Sequence, residues 1–166
     1  MDVSDSHTYD APLDAVLSMF GDPEAVVARY EGMGHRDVEV LECTRDDSTL
    51  TVRTSRVVDV DLPGFARKVL SPTNTMVQTD RWTAADDGGW DGTVDVDVKG
   101  APVQMRGTMR LDPDGASTTM QLTLSMSVKV PLVGGRIADW AGKNDVPATI
   151  AAEFAAGDAW LADHPA

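Results

Sequence analysis

A single cysteine, Cys43, stands among 166 residues, so no disulfide can form within the chain. Its neighbours Glu42 and Thr44 supply no cation to activate a thiol, and it reads as a small packing residue. Three histidines occur, and none is spaced with another histidine, a cysteine or a carboxylate on one element as a metal site requires. Neither a metal nor any other cofactor is expected. Basic residues are scarce as well: 14 Lys and Arg against 27 Asp and Glu leave a formal charge of −13. That balance argues against nucleic acid and anionic membrane surfaces as partners, since both are held by neutralising phosphates. The chain has no run of eighteen or more apolar residues, so no stable membrane insertion is expected. Its first residues, Met1-Asp2-Val3-Ser4-Asp5, lack the basic and apolar regions of a secretion signal, which points to the cytoplasm. No G-x-S-x-G, G-x-G-x-x-G or P-loop is found, so serine hydrolysis and nucleotide binding have no motif to rest on.

What is present is patterned for one α+β domain, a size at which a chain buries roughly 70% of its unfolded surface. Near the N-terminus a strand ends around Thr8, and Ala11-Pro12 opens a short helix with Leu13, Val16, Leu17 and Phe20 at helical spacing. Gly21 breaks it. Asp22-Pro23-Glu24 then supplies a cap, a first-turn proline and a first-turn acid for a second helix through Tyr30, stopped at Gly32 and Gly34. Strand-like runs follow at 36–44 and 49–60 around the polar turn Asp46-Asp47-Ser48. In the first of these Val38 and Val40 share one phase and Leu41 and Cys43 the other. A β-bulge between Val40 and Leu41 would bury both pairs.

After a helical turn or two at 65–70, with Phe65, Val69 and Leu70 on one side, three strands alternate more cleanly, at 75–83, 90–98 and 103–111. The least ambiguous strand comes next: Met120, Leu122, Leu124, Met126, Val128 and Val130 in period two. Pro131 and Gly134-Gly135 turn the chain into a long amphipathic helix over about 136–162, with Pro147 marking a kink or a restart capped by Asp145. Strands joined in series by hairpins cannot form a parallel sheet, so the sheet is expected to be mainly antiparallel with one dry face.

The last helix and the two short ones are the elements available to cover that dry face. A strongly twisted sheet around one helix can leave unfilled space. The inward phase holds Gly92, Gly107 and Ala141 and the thioethers Met76, Met105, Met109, Met120 and Met126, more than large aromatics. Flexible thioethers suit either an irregular core or a deformable apolar pocket, and both readings stay open. Thr54, Arg56, Gln78 and Asp80 also fall in the inward phase. Arg56 and Asp80 read as a buried pair, as groups fixing the polar end of an apolar guest, or, after a register slip near Asp59, with Arg56 in solvent.

Two phrases carry a family resemblance. Tyr9-Asp10-Ala11-Pro12-Leu13-Asp14-Ala15-Val16 resembles the strand-to-helix entry of START-type (SRPBCC, helix-grip) domains. Val130-Pro131-Leu132-Val133-Gly134-Gly135-Arg136-Ile137-Ala138-Asp139, with the helix ending near Trp160-Leu161, resembles an uncharacterised, mainly actinobacterial family within that superfamily. Gln78-Thr79-Asp80-Arg81-Trp82 and the segments 100–103 and 107–111 fit it too. Asp139 stands where that family's helix start is expected to carry Glu.

The resemblance covers nearly the whole chain and contains no catalytic signature. It implies a curved, mainly antiparallel seven-stranded sheet in the order β-α-α-β6-α, wrapped around the C-terminal helix. It also implies a lipid-, sterol- or polyketide-like ligand, with a minority of relatives acting as cyclases or aromatases. Fold alone does not choose among these.

The expected wall of such a cavity comprises Gln78, Trp82, Val94, Val96, Met105, Gly107, Met109, Met120, Leu122, Leu124, Met126, Ile137, Trp140 and Ala141. Any acid–base chemistry would fall to Asp80, Arg56 or Tyr9. His7 shares a strand phase with Tyr9 at the cavity rim, whereas His35 and His164 are expected in solvent. The segment 62–70 is a candidate lid.

Overall fold

A computed structural model describes residues 1–165. Strand β1 (Asp2–Tyr9) leads through Pro12 into α1 (Leu13–Gly21) and α2 (Pro23–Gly32). Asp22 caps α2 by accepting the Glu24 amide at 3.0 Å, with Pro23 in the first turn. Then come β2 (Arg36–Arg45), β3 (Thr49–Asp59), the single-turn α3 (Gly64–Arg67), β4 (Thr73–Ala84), β5 (Trp90–Val98), β6 (Val103–Asp114) and β7 (Ser117–Val128). The chain ends in α4 (Gly134–Lys143) and α5 (Asp145–Asp163). No helix among the described residues is long and apolar enough to cross a membrane.

All seven strands form one sheet in the order β1-β7-β6-β5-β4-β3-β2, antiparallel at every junction. Five of the six junctions follow from sequential hairpins. The sixth brings β1 beside β7, and the two open edges are β1 and β2. The expected bulge is present: Val40 pairs with Thr54 and Glu42 with Arg53, which leaves Leu41 as the extra residue. It buries less than expected, because the unpaired Leu41 swings outward and is 43% exposed while Val38, Val40 and Cys43 stay half-buried. A second irregularity at Arg36–Glu39 contains Asp37 at φ 50°.

The wet face accounts for the abundance of Asp and Arg. Arg106 meets Asp95 at 3.0 Å and Asp97 at 3.2 Å, and Arg110 meets Asp91 and Asp112. Such surface pairs, across strands or, for Arg110 and Asp112, along β6, each contribute roughly 0–1 kcal/mol, so they set register and solubility more than stability.

The dry face builds the core. Leu50, Val52, Trp82, Val94, Val96, Met109, Leu111, Met120 and Leu122 pack with Tyr9, Val16, Leu17, Met19 and Phe20 from the N-terminal elements. Ala141, Val146, Ile150 and Phe154 join them from α4 and α5. Trp82, 2% exposed, pairs across the sheet with Gly92, and a Cβ on that glycine would lie 2.7 Å from the indole. The missing side chain therefore makes room for the largest residue of the core.

The helix expected over 136–162, with a kink or restart near Pro147, is divided at Asn144. Asn144 leaves helical geometry (φ −127°, ψ −71°) and turns its side chain back to the Trp140 carbonyl at 2.8 Å, closing α4. Helix α5 restarts with Asp145 inside its first turn rather than as its cap, and Pro147 sits where its missing N–H has no partner to lose. In α3 the buried residue is Ala66, packed with Leu62 and Ile137. Phe65 and Leu70 pack against the same cluster, Phe65 with the Arg136 guanidinium 3.8 Å from its ring centroid, whereas Val69 is exposed.

Candidate functional site

Between the dry face and α5 lies a cavity in which the space open to the centre of a water-sized sphere is about 90 Å³. Strands β4 to β7 supply one wall: Met76, Gln78, Asp80, Trp82, Val94, Val96, Met105, Met109, Met120, Leu122 and Leu124. Helix α5 supplies the opposite wall with Asp145, Val146, Thr149, Ile150, Glu153 and Phe154, and Tyr9, Phe20, His35, Arg56 and Val58 close the ends. The apolar inward positions of β5, β6 and β7 and the flexible thioethers thus face a space that α5 does not fill. A smaller hollow of about 60 Å³ lies toward α3 and α4, and it, not the main cavity, takes Met126, Ile137, Trp140 and Ala141. Gly107 lines neither hollow. A Cβ there would collide with the Thr123 carbonyl oxygen, so this glycine permits close backbone approach to β7 rather than contact with a guest.

One corner of the cavity is polar and internally satisfied. Arg56, 5% exposed, donates from Nε to His35 Nδ1 (3.0 Å), from one terminal nitrogen to Thr54 Oγ1 (3.2 Å) and from the other to Gln78 Oε1 (2.8 Å). The Gln78 amide nitrogen in turn donates to both Asp80 oxygens, at 2.9 and 3.2 Å. The direct Arg56–Asp80 pair expected from the inward phase is not formed, because Gln78 stands between them as a relay. Solvation of Arg56 through a register slip is likewise overturned: Arg56 pairs with Met76 in a continuous β3–β4 ladder. The Tyr30 ring lies 3.9 Å from the Arg56 guanidinium and stacks on His35. An aromatic face thus shares the buried charge.

Burial pushes the Asp80 carboxyl up to about 7; the Gln78 hydrogen bond pulls against this, and the Glu153 charge adds to it. The accessible surface that Asp80 retains is surface lining the cavity. His35, expected in solvent, is instead a cavity residue, because the loop after α2 folds back over β3. Burial, with Arg56 adding to it, lowers its imidazole to about 4. Since Nδ1 accepts from Arg56, the ring proton resides on Nε2, and His35 is a neutral donor at pH 7.

Tyr9, 1% exposed, lines the cavity with a phenol whose ionisation burial suppresses. His7 is drawn away from the cavity: its Nε2 meets Asp158 at 2.8 Å and its ring stacks on Phe154. Arg29, 4% exposed, lies against the rings of Phe20 and Tyr30 and 3.9 Å from Glu153. Glu153, Thr149 and Asp145 went unrecognised in the sequence. The signal was their spacing of four, one turn apart and adjacent to the apolar Val146, Ile150 and Phe154. Among the described residues no group of three His, Cys, Asp or Glu is placed to hold a metal ion.

A seven-stranded antiparallel sheet curved around a C-terminal helix, with a cavity between them, defines the helix-grip fold of START-type proteins. The chain belongs to the family described as "Protein of unknown function (DUF2505)", which matches residues 4–161. A protein from Thermus thermophilus superposes with a TM-score of 0.70 at 16% identity, covering 100% of each chain. A START superfamily protein from Mycobacterium smegmatis gives 0.56 at 17% identity, with 98% of this chain and 97% of that one covered. The Zhui aromatase/cyclase from a Streptomyces species gives 0.54 at 21%, with 95% and 88% covered. At these identities the likeness is one of fold. No curated protein matches the sequence.

Proposed function

We propose that this protein binds and carries a small hydrophobic molecule, lipid-, sterol- or polyketide-like, in the cavity between the sheet and α5. The observation that carries this reading is the cavity itself: apolar side chains of β4 to β7 face α5 across unfilled space of about 90 Å³. A chain that needed only stability would gain by filling it, because residual cavity volume costs about 24 cal/mol per Å³. Retaining the space offsets nothing in folding, which favours a role in binding. A filled domain acting only through a partner surface is the reading this geometry least supports. The lone, half-buried Cys43 suits a reducing compartment such as the cytoplasm.

Calorimetric titration with 2-naphthalenemethanol, a compact neutral apolar probe, tests the reading. One-to-one saturable binding is expected, abolished by Met120→Trp, which fills the cavity from β7. Absence of binding to the folded wild-type protein would refute it.

A second reading, a cyclase-, aromatase- or dehydratase-like activity in the same cavity, is favoured by one observation. Asp80, held near neutrality and oriented by Gln78, has the protonation behaviour of a group that exchanges a proton at physiological pH. On this reading Asp80→Asn abolishes turnover and leaves ligand affinity nearly intact.

A further inference from the structure

The charged groups on the cavity wall are unequal in what they have left to offer. Arg56 is the sole cation among its lining residues, and three of its five N–H groups are committed to His35, Thr54 and Gln78. Three carboxylates face the same space: Asp80, Glu153 and Asp145. Asp80 is occupied by the Gln78 amide and Glu153 lies within 3.9 Å of Arg29. Asp145 meets neither a hydrogen-bond donor nor a cation among the described residues, and only burial acts on its carboxyl, raising its pKa.

Position makes Asp145 more telling. It follows the break between α4 and α5, and it lines the main cavity, the smaller hollow toward α4, and an open cleft beside the α2–β2 loop. The cleft shares His35, Val58, Asp145 and Thr149 with the cavity, so this carboxylate stands where a guest entering from the cleft would pass. Thr149 and Glu153 continue the same helical row, placing Glu153 about 12 Å further in at about 1.5 Å per residue.

An independent observation lies at the far end. The Tyr9 hydroxyl is 3.3 Å from where a Cβ would stand on Gly157, one turn beyond Glu153. Tyr9 is 1% exposed and lines the cavity, yet no hydrogen bond acts on its phenol among the described residues. Buried hydroxyls are ordinarily paired, and this one, opening on the cavity, is left for a polar atom of a guest.

The wall opposite α5 is apolar along β5 to β7, and its polar residues on β4, Gln78 and Asp80, are bonded to one another, whereas the helix offers acceptors with a free hydroxyl at the end. An acceptor row demands donors from its guest, and a half-buried carboxylate without a partner is best matched by a cation. A carboxylate or phosphate tail lying along that row would meet the like charges of Asp145 and Glu153, while Arg56 sits at the Gln78 corner, where its hydrogen bonds go to His35, Thr54 and Gln78. On the reading that this cavity binds an apolar molecule, we infer that its ligand carries a protonated amine held by Asp145, with the hydrophobic body against the sheet.

Three probes of one shape test this: 2-naphthylmethylamine, 2-naphthalenemethanol and 2-naphthoate, titrated by calorimetry at pH 7 in 0.15 M salt. The amine is expected to bind at least tenfold more tightly than the alcohol, and the carboxylate more weakly than either. Asp145→Asn should bring the amine to within threefold of the alcohol, and a native circular dichroism spectrum with cooperative urea unfolding shows that the variant is folded. Asp139→Asn removes the same charge from an exposed site on α4 and should leave the preference intact, separating a local effect from attraction to an acidic protein. Alcohol binding with no preference for the amine, or a preference that survives Asp145→Asn, overturns the inference and spares the cavity reading. Failure of all three probes to bind overturns both.

Discussion

Replacing Asp80 with asparagine should make the protein more stable above neutrality, although it deletes a charge from the centre of a hydrogen-bonded network. The carboxyl is raised from 3.8 to about 7, chiefly by burial. A group whose acidity is suppressed in the folded state favours folding while protonated. That advantage is complete below the unfolded pKa and is lost as pH rises to the folded one. About three pH units at about 1.4 kcal/mol each put the cost of the ionised form at pH 8 at up to about 4 kcal/mol. Asparagine retains an oxygen for the Gln78 amide and has nearly the same volume. Asp80 keeps some exposure at the cavity, which softens part of the cost, so the expected gain at pH 8 is about 2–4 kcal/mol, falling to near zero below pH 4. For a chain of this length that is a rise in Tm of on the order of 5–10 °C.

His35 supplies an internal check with the opposite sign. Its imidazole is lowered from 6.5 to about 4, so its contribution is present above pH 6.5 and is lost as pH falls toward 4. The two slopes oppose one another between pH 4 and 6.5 in the wild type. With Asp80 removed, the His35 slope should emerge, and the variant should lose stability on acidification across that window. Urea unfolding of both proteins at pH 4, 5, 6, 7 and 8 reads out both effects. A variant no more stable than wild type at pH 8, or one with the same pH profile, would refute the assignment of Asp80 as a desolvated carboxylate.

Two further perturbations probe the frame. Gly107→Ala should destabilise the protein by about 1–3 kcal/mol in denaturant unfolding, because the new methyl collides with the Thr123 carbonyl in the β6–β7 ladder. A neutral result there would show that the two strands have room to part. The segment 62–70 is anchored by Leu62 and Ala66 against Ile137 and otherwise largely open to solvent. Acting as a lid, its amides should exchange with deuterium faster than those of β5 and β6 and slow when 2-naphthalenemethanol binds. Protection there equal to that of the sheet would count against a lid.

The frame was legible because its signals are local. Period two through Met120–Val128 and the turn residues around Asp46 and Asp114 determine strands and hairpins. Serial hairpins then leave an antiparallel sheet as the outcome. The Asp22 cap and the bulge at Leu41 were legible for the same reason.

The expected restart is present but its cap is Asn144, one residue before Asp145, because Asn144 turns its side chain back to satisfy the α4 carboxyl end and leaves α5 without a side-chain cap. What the sequence concealed is relational. His35 follows Gly34 in a loop, and only the return of that loop onto β3 turns it into the partner of Arg56. Gln78 intercepts both Arg56 and Asp80 because the β3–β4 register sets it opposite Thr54, between them, and inward phase alone does not reveal who bonds to whom. Asp145, Thr149 and Glu153 resemble an ordinary solvated row until α5 is laid on the sheet and that row proves to face the cavity.

The claim on which the rest depends is that an apolar guest occupies the space left between β4–β7 and α5. Native mass spectrometry of freshly purified protein, followed by solvent extraction, addresses it directly. A bound apolar compound at one per chain, absent from Met120→Trp prepared in the same way, is the predicted result. A compound that persists in Met120→Trp would place the guest elsewhere and contradict the account.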